Sequence, residues 1–177
     1  MVTLDVGCGS LQSHTSRGDV CIDIITNPYV KPENFVPADA HKLPFADGVF
    51  DRVNFFEVIE HVEQPVAVLK EIYRVLNSAG VLCVSTPNPC QWRILLRHVL
   101  HMEIVPWRDH IYLWGLAELR NLLRTCGFRV VYSDYIIDAD RERFESPKHR
   151  VADKVMHSLS LWHALTGRSV YVEAVKQ

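Results

Sequence analysis

Apolar and polar positions along the chain follow two periods. Short β-branched runs at Val2–Val6, Asp19–Ile24, Phe35–Ala38, Arg52–Phe56, Val81–Ser85, Arg129–Ile137 and Val170–Val175 predict seven strands. Helical spacing appears between them. Pro65 suits a first helical turn, Leu69, Ile72, Tyr73 and Leu76 form one stripe, and Gly80 follows it. A second stripe, Trp92, Leu95, Leu96 and Val99, leaves Arg93, Arg97 and His101 on the other side. A third runs through Leu116, Leu119, Leu122, Leu123 and Cys126 to Gly127, and a fourth through Val151, Val155, Leu159, Trp162 and Leu165 to Gly167. Asp138–Arg150 is densely charged and reads as an exposed loop.

Strands alternating with helices predict an α/β fold around a mainly parallel sheet. The last strand is expected to run antiparallel, as a terminal edge segment that is polar at its end. Two helices are missing from the pattern. Only thirteen residues, Ser10–Ile22, follow Gly9 to the core of the second strand, and Thr26–Asn34 carries Pro28 and Pro32. Neither linker has room for a full amphipathic helix, so one face of the early sheet is expected to be under-covered.

Composition narrows the class. The 177 residues, 48% hydrophobic, predict a single domain over 1–177 rather than a disordered chain. No apolar run reaches the ~20 residues of a membrane span, and Met1–Asp5 has neither the basic region nor the apolar core of a signal peptide. Five cysteines with no Cys-x-x-Cys pair favour reduced thiols and a cytoplasmic protein. The net charge of −2 conceals a split. Residues 1–88 carry 6 Lys/Arg against 11 Asp/Glu, and residues 89–177 carry 13 against 10. Uniform basicity is absent, which disfavours nucleic acid as a partner.

The candidate chemistry lies at strand ends. Leu4-Asp5-Val6-Gly7-Cys8-Gly9 puts two glycines directly after the first strand, where they permit a tight turn and close backbone approach. The dinucleotide fingerprint fails at Gln12, and Asp5 would repel a phosphate while welcoming a ligand ammonium. An ordinary glycine turn with a capping aspartate is the plainer alternative. Asp23, ending Val20-Cys21-Ile22-Asp23-Ile24, suits vicinal ribose hydroxyls. Asp39, in Ala38-Asp39-Ala40-His41-Lys42-Leu43-Pro44-Phe45, continues the same crevice, and Phe56-Glu57-Val58-Ile59-Glu60-His61-Val62 follows the fourth strand.

Together these pieces resemble the class I S-adenosylmethionine-dependent methyltransferases, nearest to the small-molecule branch that includes quinone-biosynthesis enzymes. The matching stretches are LDVGCG, VCIDI, ADAHKLPF, GVFDRVNFFEVIEHVEQP, LKEIYRVLNSAGVLCVSTPNP and DHIYLWGLAELRNLLRTCGFRVV, within residues 3–132. The resemblance implies a doubly wound, Rossmann-like methyltransferase fold with S-adenosylmethionine as cofactor. It implies that Asp5, Gly7, Cys8 and Gly9 hold the methionine part, Asp23 and Ile24 the ribose side, Asp39 and Ala40 the adenine, and that Phe56 and Glu57 lie beside the sulfonium. The family's usual third glycine is Leu11 here, and its helices after the first motif and after strand two are absent or degenerate. A homodimer or partner chain on the under-covered face is therefore expected.

His61 is the first candidate for a general base, with Glu57 and Glu60 behind it and His110 as a pocket residue. Residues 88–112 are expected to form a substrate-side cap in which Arg93, Arg97, Arg108, Trp92 and Trp107 meet a small-molecule acceptor. His98, His101, Glu103 and His110 suggest a metal cluster only weakly, because i,i+3 histidines are common on exposed helices; no metal is expected. A non-catalytic domain of the same fold, serving as a structural or regulatory partner, is the alternative.

Overall fold

The computed structural model describes residues 1–8, 18–24, 34–102, 109–136 and 164–177. Seven strands form one sheet: β1 Thr3–Val6, β2 Val20–Asp23, β3 Phe35–Pro37, β4 Phe50–Phe56, β5 Leu76–Pro87, β6 Phe128–Ile136 and β7 Ser169–Lys176. Three helices accompany them: α1 Pro65–Val75, α2 Trp92–Val99 and α3 Leu116–Thr125. The order across the sheet is β3-β2-β1-β4-β5-β7-β6. The pairs from β3 to β5 are parallel, and β7 runs antiparallel to both neighbours.

The last strand departs from expectation in position. It is not an edge segment but lies between β5 and β6, with Ser169–Ala174 buried. Val170, Val172 and Ala174 pack into the main core while Tyr171 and Glu173 point to the opposite face. The polar residues at its end therefore mark a strand terminus, not a solvated edge.

Helix α1 begins on Pro65, as its preset φ and missing N–H favour. It stops at Val75, five residues before Gly80, because Leu76 turns to extended backbone and already belongs to β5. Val68, Leu69, Ile72 and Val75 are fully buried against Leu4, Val53, Phe55, Leu82 and Val84 of the sheet and Leu119 and Leu123 of α3. Burial of each large aliphatic side chain contributes about 1.5–3 kcal/mol, which accounts for this face dominating the fold. Arg74 at the end of α1 donates to the carbonyls of Leu43 and Phe45 and to Asp47 and Glu71, so the loop after β3 is latched to the helix.

Strand alternation sends Asp5, Cys21, Arg52, Asn54, Cys83, Ser85, Tyr171 and Glu173 to the face away from α1 and α3. Among the described residues this face carries only a small apolar cluster, built on Cys83, Ile136 and Tyr171 with Phe56, Val81 and Tyr132 beside it. The linkers expected to leave it under-covered, apart from residues 18–22 and 34, and the fourth helical stripe at 151–165 except its last two residues, lie outside the described residues, as does the loop 138–150. No described helix is long and apolar enough to cross a membrane.

Candidate active site

Parallel pairing of β3, β2, β1 and β4 brings four strand C-termini to one edge of the sheet, where loop residues converge. Asp5 sits inside β1, largely buried. Its register partners are Cys21 on one side and Asn54 on the other. Asn54 Nδ2 donates to Asp5 Oδ1 at 2.6 Å, and the Gly18 amide donates to Oδ2 at 3.0 Å. Arg52 Nε donates in turn to Asn54 Oδ1 at 2.9 Å. A polar relay thus crosses β4, β1 and the entry to β2, and Asp5 is a structural clasp as well as a carboxylate at the crevice.

Gly7 adopts φ +79°, a conformation that L side chains rarely adopt, and a β-carbon there would collide with the Val58 side chain. The turn folds back over β2: the Gly7 and Cys8 amides both donate to the Ile22 carbonyl, at 2.8 and 3.2 Å. This brings the Cα atoms of Cys8 and Cys21 to 6.0 Å, and the two form a disulfide. The expectation of five reduced thiols is corrected here. Sequence spacing could not reveal the pairing, since the residues are 13 apart and meet only through the turn; Cys83, Cys90 and Cys126 are not in disulfides. Gly9 lies outside the described residues, with Leu11 and Gln12.

At the end of β2, Asp23 is half-buried and Ile24 exposed. Asp23 accepts from the Ala38 amide through its backbone carbonyl, at 3.1 Å, which draws the start of the β3 loop toward it. Asp39 Oδ1 receives the His41 amide at 2.9 Å and lies 2.7 Å from His41 Nδ1. These bonds, the backbone one foremost, hold the Asp39 carboxyl below the usual carboxylate range. Ala40 lies within this turn, which the Lys42 amide closes by donating to the Asp39 carbonyl at 3.0 Å.

Beyond β4 the backbone is strained. Glu57 has φ +54°, uncommon outside glycine. Two bonds from β5 hold it: the Glu57 amide donates to the Ser85 carbonyl at 2.9 Å, and Ser85 Oγ donates to Glu57 Oε1 at 2.6 Å. Phe56, just before it, lies 6.3 Å from the Tyr171 ring centroid.

The turn then delivers Glu60 and His61 to a strap formed by Asp109–Trp114. The amides of Ile111 and Tyr112 both donate to the Glu60 carbonyl, Tyr112 OH donates to the Glu63 carbonyl, and Trp114 Nε1 donates to the Ile59 carbonyl. Glu60 is 1% exposed. Thr86 Oγ1 donates to its Oε2 at 3.0 Å, whereas its buried Oε1 has no hydrogen-bond partner. Burial, reinforced by the charge of Glu57, pushes its carboxyl up to about 8. His61 Nδ1 lies 3.1 Å from the Asp109 carbonyl and 3.4 Å from Asp109 Oδ2, and its ring stands edge-on to His110 at 4.6 Å. Burial, with the neighbouring His61, pushes His110 below its ordinary value.

Of residues 88–112, expected as a cap, 88–102 and 109–112 are among those described. Asn88, fully buried, comes first: its side-chain amide donates to the carbonyls of Ala164 and Gly167, and its Oδ1 accepts from the Cys90 amide. Helix α2 buries Ile94 alone, and the Arg93 guanidinium lies 5.4 Å from the Trp92 ring centroid. Trp107, Arg108 and Glu103 lie outside the described residues. Sequence reading passed over Asn54, Gly18, Ser85, Asn88 and Asp109. An asparagine inside the apolar run Val53-Asn54-Phe55-Phe56, with an aspartate in the neighbouring strand, was a usable signal for the first.

The arrangement sets acidic groups at three strand ends, Asp23, Asp39 and Glu57, near the glycine turn after β1. Residues 4–84 match the family described as "Methyltransferase domain". Over this stretch the chain is similar to the class I S-adenosylmethionine-dependent methyltransferases. It is 51% identical over 155 residues to cycloartenol-C-24-methyltransferase 1 of Oryza sativa subsp. japonica, covering 81% of this chain and 42% of that protein. A probable S-adenosylmethionine-dependent methyltransferase of Mycolicibacterium smegmatis is 38% identical over 50% of this chain and 32% of its own length. The ubiquinone/menaquinone biosynthesis C-methyltransferase UbiE of Desulfotalea psychrophila is 43% identical over 30% of this chain and 22% of its own. The chain therefore spans less than half the length of these curated relatives. Among solved structures, an S-adenosylmethionine-dependent methyltransferase from Archaeoglobus fulgidus superposes with a TM-score of 0.64 at 21% identity, covering 98% of this chain and 85% of that one. That likeness establishes the methyltransferase fold.

Proposed function

We propose that this methyltransferase domain transfers a methyl group from S-adenosylmethionine to a small-molecule acceptor by in-line displacement. The observation that carries this reading is the convergence of Asp5, Gly7, Cys8, Asp23, Ile24, Asp39, Ala40, Phe56 and Glu57 at one edge of four parallel strands. The residues fit the cofactor. A crevice lined by carboxylates suits a ligand that carries an ammonium and a sulfonium, and the β-carbon-free Gly7 keeps backbone close to it. When bound, the cofactor supplies an activated methyl on a neutral thioether leaving group.

Asp5 and the glycine turn, with Gly9 beyond it, would orient the methionine end. Asp23 would pair the ribose hydroxyls, Asp39 and the Ala40 amide the adenine, and Phe56 and Glu57 would flank the sulfonium. Alignment of the reacting atoms is the main demand, so rigid seating supplies much of the rate. His61 is the candidate to take a proton where the acceptor's nucleophile carries one. Residues 88–112 would cap the acceptor side within one domain, 1–177. The relatives named for cycloartenol and for ubiquinone/menaquinone support an apolar acceptor. A second copy or another chain on the face opposite α1 and α3 remains part of this reading; a fold neighbour from Haloferax volcanii was solved with its methyltransferase activator.

The alternative, a non-catalytic domain, draws on one observation: the Gly7 and Cys8 amides and both Asp5 oxygens already have protein partners. Calorimetry with S-adenosylmethionine and S-adenosylhomocysteine separates the two. Micromolar binding lost in Asp23→Ala supports the enzyme. No binding at millimolar ligand, with Asp23→Ala indistinguishable from wild type, sinks it.

A further inference from the structure

Glu60, His61 and His110 lie together where the turn after β4 meets the Asp109–Trp114 strap. Their ligand atoms fall within 4.8 Å of one another, the one such group among the described residues. We propose that this cluster is a binding site for a divalent transition metal of the zinc type, and that the metal pins the Asp109–Trp114 strap to the turn after β4.

Four observations carry the assignment. First, the donor set is one carboxylate and two imidazoles, the set that favours zinc and its neighbours over calcium or magnesium. Second, Glu60 Oε1 is buried, has no hydrogen-bond partner, and faces His61 Nε2 at 4.0 Å, while Oε2 is anchored by Thr86. A buried carboxyl oxygen left without a hydrogen-bond partner is costly, and a cation that displaces the carboxyl proton at this point would satisfy it. Third, Glu57 and Asp109 add negative field around the same point, so the site is electrostatically prepared for a cation. Fourth, the ligands come from two segments already docked through the Glu60 carbonyl, which accepts from Ile111 and Tyr112. The cluster would need to contract, since zinc–nitrogen and zinc–oxygen bonds are about 2.0–2.2 Å; His61 and His110 are each only partly buried.

The site differs from the histidines that sequence spacing suggested. His98 and His101 are exposed on and just beyond α2 and share no ligand cluster with His110. With metal bound, His61 is a ligand and not a free base, so metal binding and the proton role proposed above are separable by experiment.

The test uses the metal-stripped full chain titrated with Zn²⁺ and, for its visible spectrum, Co²⁺. One equivalent is expected to bind, with tetrahedral or five-coordinate cobalt bands, a raised Tm and slower proteolysis within the strap. Glu60→Gln, which keeps the size and the Thr86 bond, and His110→Ala are each expected to weaken binding roughly tenfold or more. His98→Ala/His101→Ala is expected to bind like wild type. No stoichiometric binding, or binding that survives Glu60→Gln and His110→Ala but is lost in His98→Ala/His101→Ala, overturns the proposal. Circular dichroism of each metal-free variant separates lost ligands from lost folding. Calorimetry with S-adenosylhomocysteine reports on the cofactor reading independently, so either can fail alone.

Discussion

Asn54 on β4 donates to Asp5 on β1 across their parallel pairing, at 2.6 Å, on the sheet face opposite α1 and α3. The bond orients a carboxylate that the cofactor's ammonium would need, and Arg52 fixes the asparagine from behind. Asn54→Leu removes the donor and leaves the Asp5 oxygen short of a partner in a buried place. A loss of about 2 kcal/mol is expected, seen as a Tm lower by about 4–8 °C. Asn54→Asp is expected to be worse, because it sets two carboxylates side by side. An unchanged Tm in Asn54→Leu would show that the bond contributes nothing.

The glycine turn makes a second, steric prediction. Gly7→Ala meets both a positive φ and the Val58 side chain. The backbone term alone is about 1–2 kcal/mol, so the variant is expected to lose at least that much, with the crevice displaced. Val58→Ala in the same chain should relieve the collision but not the backbone term. A double-mutant cycle by urea unfolding reads this as partial rescue. Full rescue would mean that φ at Gly7 carries no strain, and no rescue that the collision is not real.

How much of this was legible in the sequence follows from which forces act locally. The strands, α1 and α3 announce themselves because each buries one stripe, and Pro65 and Gly127 punctuate them. Helix α2 shows the same spacing, yet it buries Ile94 alone and leaves Trp92, Leu95, Leu96 and Val99 exposed. Leu76 belongs to the helical stripe by spacing yet starts β5, because it can be buried equally well from either geometry. The position of β7 inside the sheet depends on strand pairing across a long separation, which local pattern does not encode. The acidic strand ends were readable as chemistry because topology, not packing, sends them to the crevice. Asn88, Asp109 and the Glu60–His110 contact were not, since each depends on segments that meet only in the folded chain.

Acid should open the latch between α1 and the loop after β3. Glu71 accepts from Arg74 at 2.8 and 2.9 Å and from the Leu43 amide at 3.0 Å, and the guanidinium foremost holds its carboxyl below the usual range. A carboxyl depressed in the folded state contributes stability that is present above its unfolded value and is lost as pH falls through its folded value. Glu71→Gln is therefore expected to be less stable than wild type by about 1 kcal/mol at pH 7, a modest figure because the pair is partly exposed. The gap should close below the usual carboxylate range, where wild type is protonated too. Urea unfolding across that range measures it. A gap independent of pH would assign the difference to shape rather than charge.

The Cys8–Cys21 disulfide ties the glycine turn to the strand it folds over, closing a loop across a sequence separation of 13. Denaturing the unreduced protein with an alkylating reagent should label three thiols, Cys83, Cys90 and Cys126, and prior reduction should raise the count to all five. Loop closure of this size is worth about 3 kcal/mol at most, so reduction should lower the Tm by several degrees, and Cys8→Ser/Cys21→Ser should match the reduced protein. Because Gly7 and Cys8 both hang on the Ile22 carbonyl, loosening the tether frees the turn that would seat the cofactor's methionine end. Affinity for S-adenosylhomocysteine is therefore expected to fall on reduction of wild type and to be insensitive to reductant in the double variant. Five labelled thiols without reductant would remove the disulfide from this picture, and a Tm unmoved by reduction would leave the two hydrogen bonds to Ile22 as the whole of the restraint.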